Sequence, residues 1–166
     1  MHVVLHLAVS QDGFIARTDG DSDWVSPVDG KLFDKRARDA GCLVVGNTTF
    51  KQYKGTIYPV ANVFNIVMSA SEHGEDDGVV YVMTPQQAIE VASERGYGTL
   101  LVAGGGKTSA AFLDAGLVDE IFLSIHPIQL HEGIKSPGDL HADPRYTLAQ
   151  VKNLEEGIIE EHYTVL

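Results

Sequence analysis

Two short stretches set the tightest limits on what this chain can fold into. One is Val44-Val45-Gly46-Asn47-Thr48-Thr49-Phe50, and the other is Leu101-Val102-Ala103-Gly104-Gly105-Gly106-Lys107-Thr108-Ser109. In each, an apolar run suited to a buried strand ends in glycine and passes into small polar residues that open a helix. Such a junction leaves backbone N–H groups free at the positive end of a helix dipole, which makes an anion site. Glycine lets a phosphate approach the backbone closely. Because Gly also serves plain tight turns, one junction alone says little. Two at the same end of neighbouring strands predict one ligand with two phosphates. A P-loop would need Gly where Leu101 stands, and G-x-G-x-x-G would need it at Ser109, so neither of those signatures is present.

Around these junctions the hydrophobic pattern predicts eight strands. Residues 2–9, 42–46, 63–68, 79–82 and 99–103 are short apolar runs suited to burial on both faces of a sheet. Residues 119–126 follow. Then 146–153 and 158–165 alternate and flank Leu154-Glu155-Glu156-Gly157, which reads as an antiparallel hairpin. Helices are expected over 29–40, ending at Gly41, over 85–95 and over 106–115, with a short one starting at Thr48 or Thr49. The second has the clearest signals, with Thr84 as N-cap, Pro85 at the first position and Gln87 completing a capping box. Strands alternating with helices predict one three-layer α/β/α domain over residues 1–166. Its sheet is mixed, with eight strands and the hairpin at its antiparallel edge.

Charge narrows the partners. Lys plus Arg number 12 against 23 Asp plus Glu, a formal net charge of −11. Nucleic acid and anionic membrane both call for basic surface, so neither is an expected partner. The single cysteine, Cys42, reads as a buried small hydrophobe and permits no internal disulfide. The opening MHVVLHLAVSQDG lacks a basic region and reads as a strand, and no apolar run approaches the roughly 20 residues of a membrane span. A cytoplasmic location is expected. The seven histidines form no metal-ligand pattern, so no metal is expected; His126 stands before Pro127 at the end of a strand. Glu72 to Asp77 reads as a solvated acidic loop.

Taken in order, SQDGFIA, Asp23-Trp24, VVGNTTF, IVMSAS, LLVAGGG and GLVDEIFLSIHP resemble the dihydrofolate-reductase-like fold. The branch they resemble most is the one that includes the reductase domain of riboflavin biosynthesis, the RibD C-terminal-like proteins. The resemblance spans essentially the whole chain. It implies NADPH-dependent hydride transfer to a C=N bond or to an open-chain sugar imine. By the same resemblance, Ala8, Ile15 and Ala16 line the nicotinamide. Gly46, Thr48 and Thr49 belong to a phosphate-binding junction, and Asn47 stands where classical dihydrofolate reductases often carry Arg. Ser69 lies beside the adenosine half. Gly104, Gly105 and Gly106 form the pyrophosphate turn, and Lys107 and Thr108 follow where a basic residue can meet a 2′-phosphate. Folds of this family often pair through strands, which implies a homodimer.

Reduction of a C=N bond also needs a proton. A carboxylate in a water-poor pocket, its pKa raised by burial, can supply one. Asp29 is the candidate, since it follows Trp24 by five residues and shares a helix face with Phe33. An Asp early in a helix also stabilises the helix end, so both roles stay open. Trp24 and Phe33 are candidate substrate contacts. Lys31, Lys35, Arg36 and Arg38 read as a solvated helix face. The Asn-Pro and Leu-Thr-Arg pattern of riboflavin reductases is absent, and Asp23-Trp24 replaces the Pro-Trp pair of folate enzymes. The expected activity is therefore NADPH-dependent reduction of a pterin- or pyrimidine-type small molecule. The alternatives are a genuine dihydrofolate reductase and a nucleotide-binding protein without chemistry.

Overall fold

A computed structural model describes residues 1–166, and its layering follows from the first strand, β1 (His2–Ser10). Odd positions Val3, Leu5, Leu7 and Val9 are buried in one apolar core. Side chains alternate across a strand, so Val4, His6 and Ala8 face the opposite layer. After β1 come β2 (Phe14–Ala16), α1 (Pro27–Ala40), β3 (Cys42–Gly46), α2 (Asn47–Gln52), β4 (Phe64–Met68), β5 (Gly74–Asp76) and β6 (Val79–Val82). Then follow α3 (Pro85–Glu94), β7 (Thr99–Val102), α4 (Gly106–Asp114), β8 (Glu120–His126), β9 (Ile134–Lys135), β10 (Tyr146–Asn153) and β11 (Ile159–Val165).

The main sheet runs β10-β11-β8-β1-β7-β3-β4-β6-β5. Strands from β8 through β6 are parallel to their neighbours, while β11 is antiparallel to β8 and pairs with β10 as the expected hairpin. All eight expected strands form. The sheet has nine strands because Gly74–Asp76, inside the acidic stretch read as a loop, adds a short exposed edge antiparallel to β6. A separate ribbon joins β2 to β9. These pieces are two or three residues long, too short to show a period in sequence.

Residues of α3 and α4, among them Ala88, Ala92, Phe112 and Leu113, pack into the core with the odd side of β1. Ala37 of α1 and Phe50 of α2 belong to the second core, with Leu43, Val45, Val67 and Leu101. Phe112 is fully buried, and truncating such a side chain to Ala typically costs about 3–5 kcal/mol.

Helix boundaries follow local chemistry. The first helix starts at Pro27, two residues earlier than expected, because the Ser26 hydroxyl accepts from Val28 N at 3.1 Å and Pro suits the first turn. It ends where Gly41 takes φ +72°, a conformation that favours glycine. At α3, Thr84 Oγ1 accepts from Gln87 N at 3.2 Å, and Gln87 Oε1 accepts from Met83 N at 2.8 Å. The buried Cys42 thiol is pushed up to about 12 by desolvation, so it is unreactive. No helix is long and apolar enough to cross a membrane.

Candidate active site

The two glycine junctions meet. In the sheet Val44 pairs with Val102, and just beyond it Gly46 N donates to Gly104 O at 2.7 Å. A Cβ on Gly46 would lie 2.5 Å from Thr108 Oγ1, and one on Gly105 would lie 2.6 Å from Thr49 Oγ1. Each turn's threonine therefore occupies the space beside the other turn's glycine. The glycines are needed for this interlock as well as for any ligand. Gly104 has φ +92°, which an L side chain rarely adopts. Gly105 serves as N-cap of α4 and has no side chain to satisfy the first N–H groups, which stay available to an anion.

The residues implied to surround a nicotinamide come together at one end of the sheet. A Cβ on Gly106 would meet Ile15 Cδ1 at 2.9 Å and Ile134 Cγ2 at 3.7 Å, so the β2–β9 ribbon closes over the second junction. Ala16 is buried in that ribbon, and Ala8 lies half-buried on β1. Ile134 was not anticipated, and its two-residue strand gave no signal. Thr108 is buried, while Thr48 and Lys107 are exposed.

Asp29 is 3% exposed, as expected of a pocket carboxylate. Its pKa direction differs from expectation. Burial is the largest single influence and pushes it up, but the hydrogen bond and charge interaction with His6, joined by the nearby Ser124 hydroxyl and His126, together outweigh it, and the net shift is downward. His6 Nε2 lies 3.2 Å from both Asp29 oxygens. On its other side, Arg36 Nη1 lies 2.9 Å from His6 Nδ1. A guanidinium can only donate, so Nδ1 accepts and Nε2 carries the proton given to Asp29. Arg36 also donates to Glu160 Oε2 at 2.8 Å and lies 3.8 Å over the Phe122 ring. The result is a buried chain Asp29–His6–Arg36–Glu160 from α1 across β1 to β11. Arg36 is thus no part of the solvated face, unlike Lys35 and Arg38, which pair with Asp39 and Asp34 at the surface.

Phe33 packs edge-on to His6 at 5.7 Å and Trp24 edge-on to His126 at 5.2 Å. His126 is buried, accepts from Ser26 N through Nε2 at 3.1 Å and donates through Nδ1 to Ser124 O at 3.1 Å. Those bonds fix its tautomer and occupy both nitrogens, which makes it a support for the Trp24 loop. Trp24 Nε1 and Ser124 Oγ are buried with no hydrogen-bond partner of normal length. Orphaned polar atoms beside a buried carboxylate are what a polar heterocycle would satisfy. The sequence signal for His6 was a polar residue in the strand HVVLHLAV; nothing local pointed to Glu160 or Ser124.

Asn47 and Ser69 sit at the far side of the junctions, and their donors are engaged, while Asn47 Oδ1 is buried without a partner. Asn47 Nδ2 donates to Glu72 Oε2 at 2.6 Å and to Ser69 Oγ at 3.2 Å. Ser69 and Ser71 hydroxyls and Lys51 Nζ also reach the Glu72 carboxylate. Those donors, Lys51 first, hold Glu72 down to about 2. Glu72 is therefore bound to Asn47, Lys51, Ser69 and Ser71 rather than solvated in a loop.

Residues 59–159 match the RibD C-terminal domain family. Two uncharacterized proteins of Bacillus subtilis (strain 168), YwjB and YyaP, are each 23% identical, over 96% and 97% of this chain and 95% and 93% of their own lengths. A crystal structure from Shewanella sp. PV-4, of a protein named for riboflavin biosynthesis, superposes with TM-score 0.81 at 22% identity, covering 100% of this chain and 99% of that one. A second, from Thermotoga maritima, is a diaminohydroxyphosphoribosylaminopyrimidine deaminase/5-amino-6-(5-phosphoribosylamino)uracil reductase. It superposes with TM-score 0.77 at 18% identity, covering 99% of this chain and 56% of that protein. These likenesses establish the fold as dihydrofolate-reductase-like.

Proposed function

Because this chain belongs to the RibD C-terminal domain family, we propose that it is a reductase that passes a hydride from a reduced nicotinamide dinucleotide to a pterin- or pyrimidine-type heterocycle. One observation carries this reading. The interlocked glycine junctions and the buried Asp29–His6 pair lie at the same end of the parallel strands. In open α/β sheets that is where ligands bind.

The residues present fit a dinucleotide. Gly105 leaves the first N–H groups of α4 uncapped for a diphosphate, and Ile15, Ala16 and Ile134 form an apolar wall for a nicotinamide ring. Bound there, the dinucleotide supplies the hydride. Asp29 stays ionised against His6, so it accepts a hydrogen bond from a ring N–H and favours the protonated substrate rather than storing a proton. His6 donates its one N–H, at Nε2, as a hydrogen bond to Asp29, since Arg36 occupies Nδ1. Trp24 Nε1–H and the Ser124 hydroxyl have hydrogen bonds to offer a substrate carbonyl or amine. Phe33 packs edge-on against His6 and shields the imidazole.

The test is titration of the purified protein with NADPH and with NADH, read by quenching of the single tryptophan, Trp24. Turnover with dihydrofolate and with riboflavin-pathway pyrimidines follows. Saturable binding of either nucleotide supports the proposal. If calorimetry also finds neither nucleotide bound, the junctions are structural turns and the reductase reading falls.

A further inference from the structure

A dinucleotide that reaches Asp29 with its reactive ring must run along one direction of the sheet edge. The hydride end lies at β1, the diphosphate at the β7 and β3 junctions, and the remaining half over the next strands outward, β4 and β6. The residues waiting there are Asn47, one step past Gly46, and the Ser69–Glu72 turn, one step past Met68. Four side chains, Asn47, Lys51, Ser69 and Ser71, direct donors at one point. That point is already filled by a carboxylate of this chain. Just beyond it, a cavity of about 470 Å³ lined by His73, Tyr81, Val82, Met83 and Gln87 has room for a planar base. It adjoins the turn, because Ser69 N donates to Val82 O at 2.8 Å and His73 follows Glu72.

Resting on the reductase reading, we propose that Glu72 fills the anion cradle of Asn47, Lys51, Ser69 and Ser71 and thereby selects a dinucleotide with a free 2′-hydroxyl, NADH, over NADPH. The charge arithmetic decides the direction. Lys51 and Glu72 cancel. A 2′-phosphate brings nearly two further negative charges. To enter, it must strip four donors from Glu72 and then remain near the displaced carboxylate. A 2′-hydroxyl needs no such exchange, because it donates to the carboxylate where it stands. Rossmann folds use the same chemistry, an acidic side chain on the ribose 2′-hydroxyl, to bind the unphosphorylated cofactor. Under this proposal the cradle, rather than Lys107 at the exposed start of α4, meets the 2′ position.

The experiment compares dissociation constants of NADH and NADPH for the wild type, Glu72→Gln and Glu72→Ala, by Trp24 quenching and calorimetry. The wild type is expected to bind NADH more tightly by about tenfold or more, and both variants to move that ratio toward NADPH by a similar factor. The Gln variant keeps the size and hydrogen bonding of the side chain, and melting curves identify any variant that has lost its fold. Tighter NADPH binding by the wild type, or a ratio unchanged in both folded variants, overturns the proposal and leaves the reductase reading standing. Failure of both nucleotides to bind the wild type overturns the two together.

Discussion

His6 and Arg36 stand 2.9 Å apart, Nδ1 to Nη1, inside the layer between β1 and α1. A neutral imidazole is held there between a guanidinium and the Asp29 carboxylate. Among the groups that lower the Asp29 pKa against its burial, His6 acts most strongly.

Removing either member of that pair leaves the other buried and unpaired. His6→Ala is expected to destabilise the fold by about 3–5 kcal/mol, the usual cost of breaking a buried pair. It should also raise the Asp29 pKa, since only the weaker influences of Ser124 and His126 would then oppose burial. Asp29→Asn keeps the shape and should lower turnover by about 10²–10⁴ while nucleotide affinity holds. Chemical denaturation and single-turnover kinetics read the two effects. Unchanged turnover in a folded Asp29→Asn protein with nucleotide binding intact would point to a nucleotide-binding protein without chemistry.

The interlock of the glycine turns predicts a compensating pair. In Gly46→Ala the new Cβ would fall 2.5 Å from Thr108 Oγ1, and Thr108 is buried. The single variant should be destabilised and lose nucleotide binding. Adding Thr108→Ala removes the clashing oxygen and should restore part of both. A double-mutant cycle on melting temperature measures the coupling, and strict additivity would mean that the two turns do not interlock.

Asp12 predicts a pH dependence. Its carboxylate accepts from Ser10 Oγ at 2.7 Å, Leu130 N at 3.1 Å and His131 N at 2.8 Å, tying β1 to the chain after β8. Desolvation pushes its pKa up, but these hydrogen bonds, Ser10 first, bring it down from 3.8 to about 2. A lowered folded-state pKa gives stability that is present above 3.8 and lost as pH falls toward about 2. Asp12→Asn should melt at a lower temperature than wild type at neutral pH, and the gap should close across that acid window. A gap independent of pH would show that these hydrogen bonds do not depend on the charge.

Pairing through strands has a candidate edge. In β10, Leu148 is 47% exposed and Val151 is 53% exposed, and the strand's outer side has no neighbour in the sheet. Unpaired edges of this kind invite a second strand. A homodimer joined there should run at twice the chain mass in light scattering, and Val151→Lys should give a monomer. A wild-type monomer at high concentration would remove this edge from consideration.

By itself the sequence determined what is carried by neighbours along the chain. The caps at Thr84 and Gly41, the buried strands, the hairpin and the two glycine junctions all depend on residues within a few positions of one another, and all appear where local chemistry puts them. Asp29 was legible as a buried carboxylate because Trp24 and Phe33 flank it in the same stretch. Only the tertiary structure decided the state of that acid and the occupant of the anion cradle. His6 meets Asp29 across 23 positions, Arg36 meets Glu160 across 124, and Asn47 meets Glu72 across 25. Parallel strands bring distant residues side by side in a register that no local pattern encodes. A buried charge then takes its properties from whichever partner that register delivers.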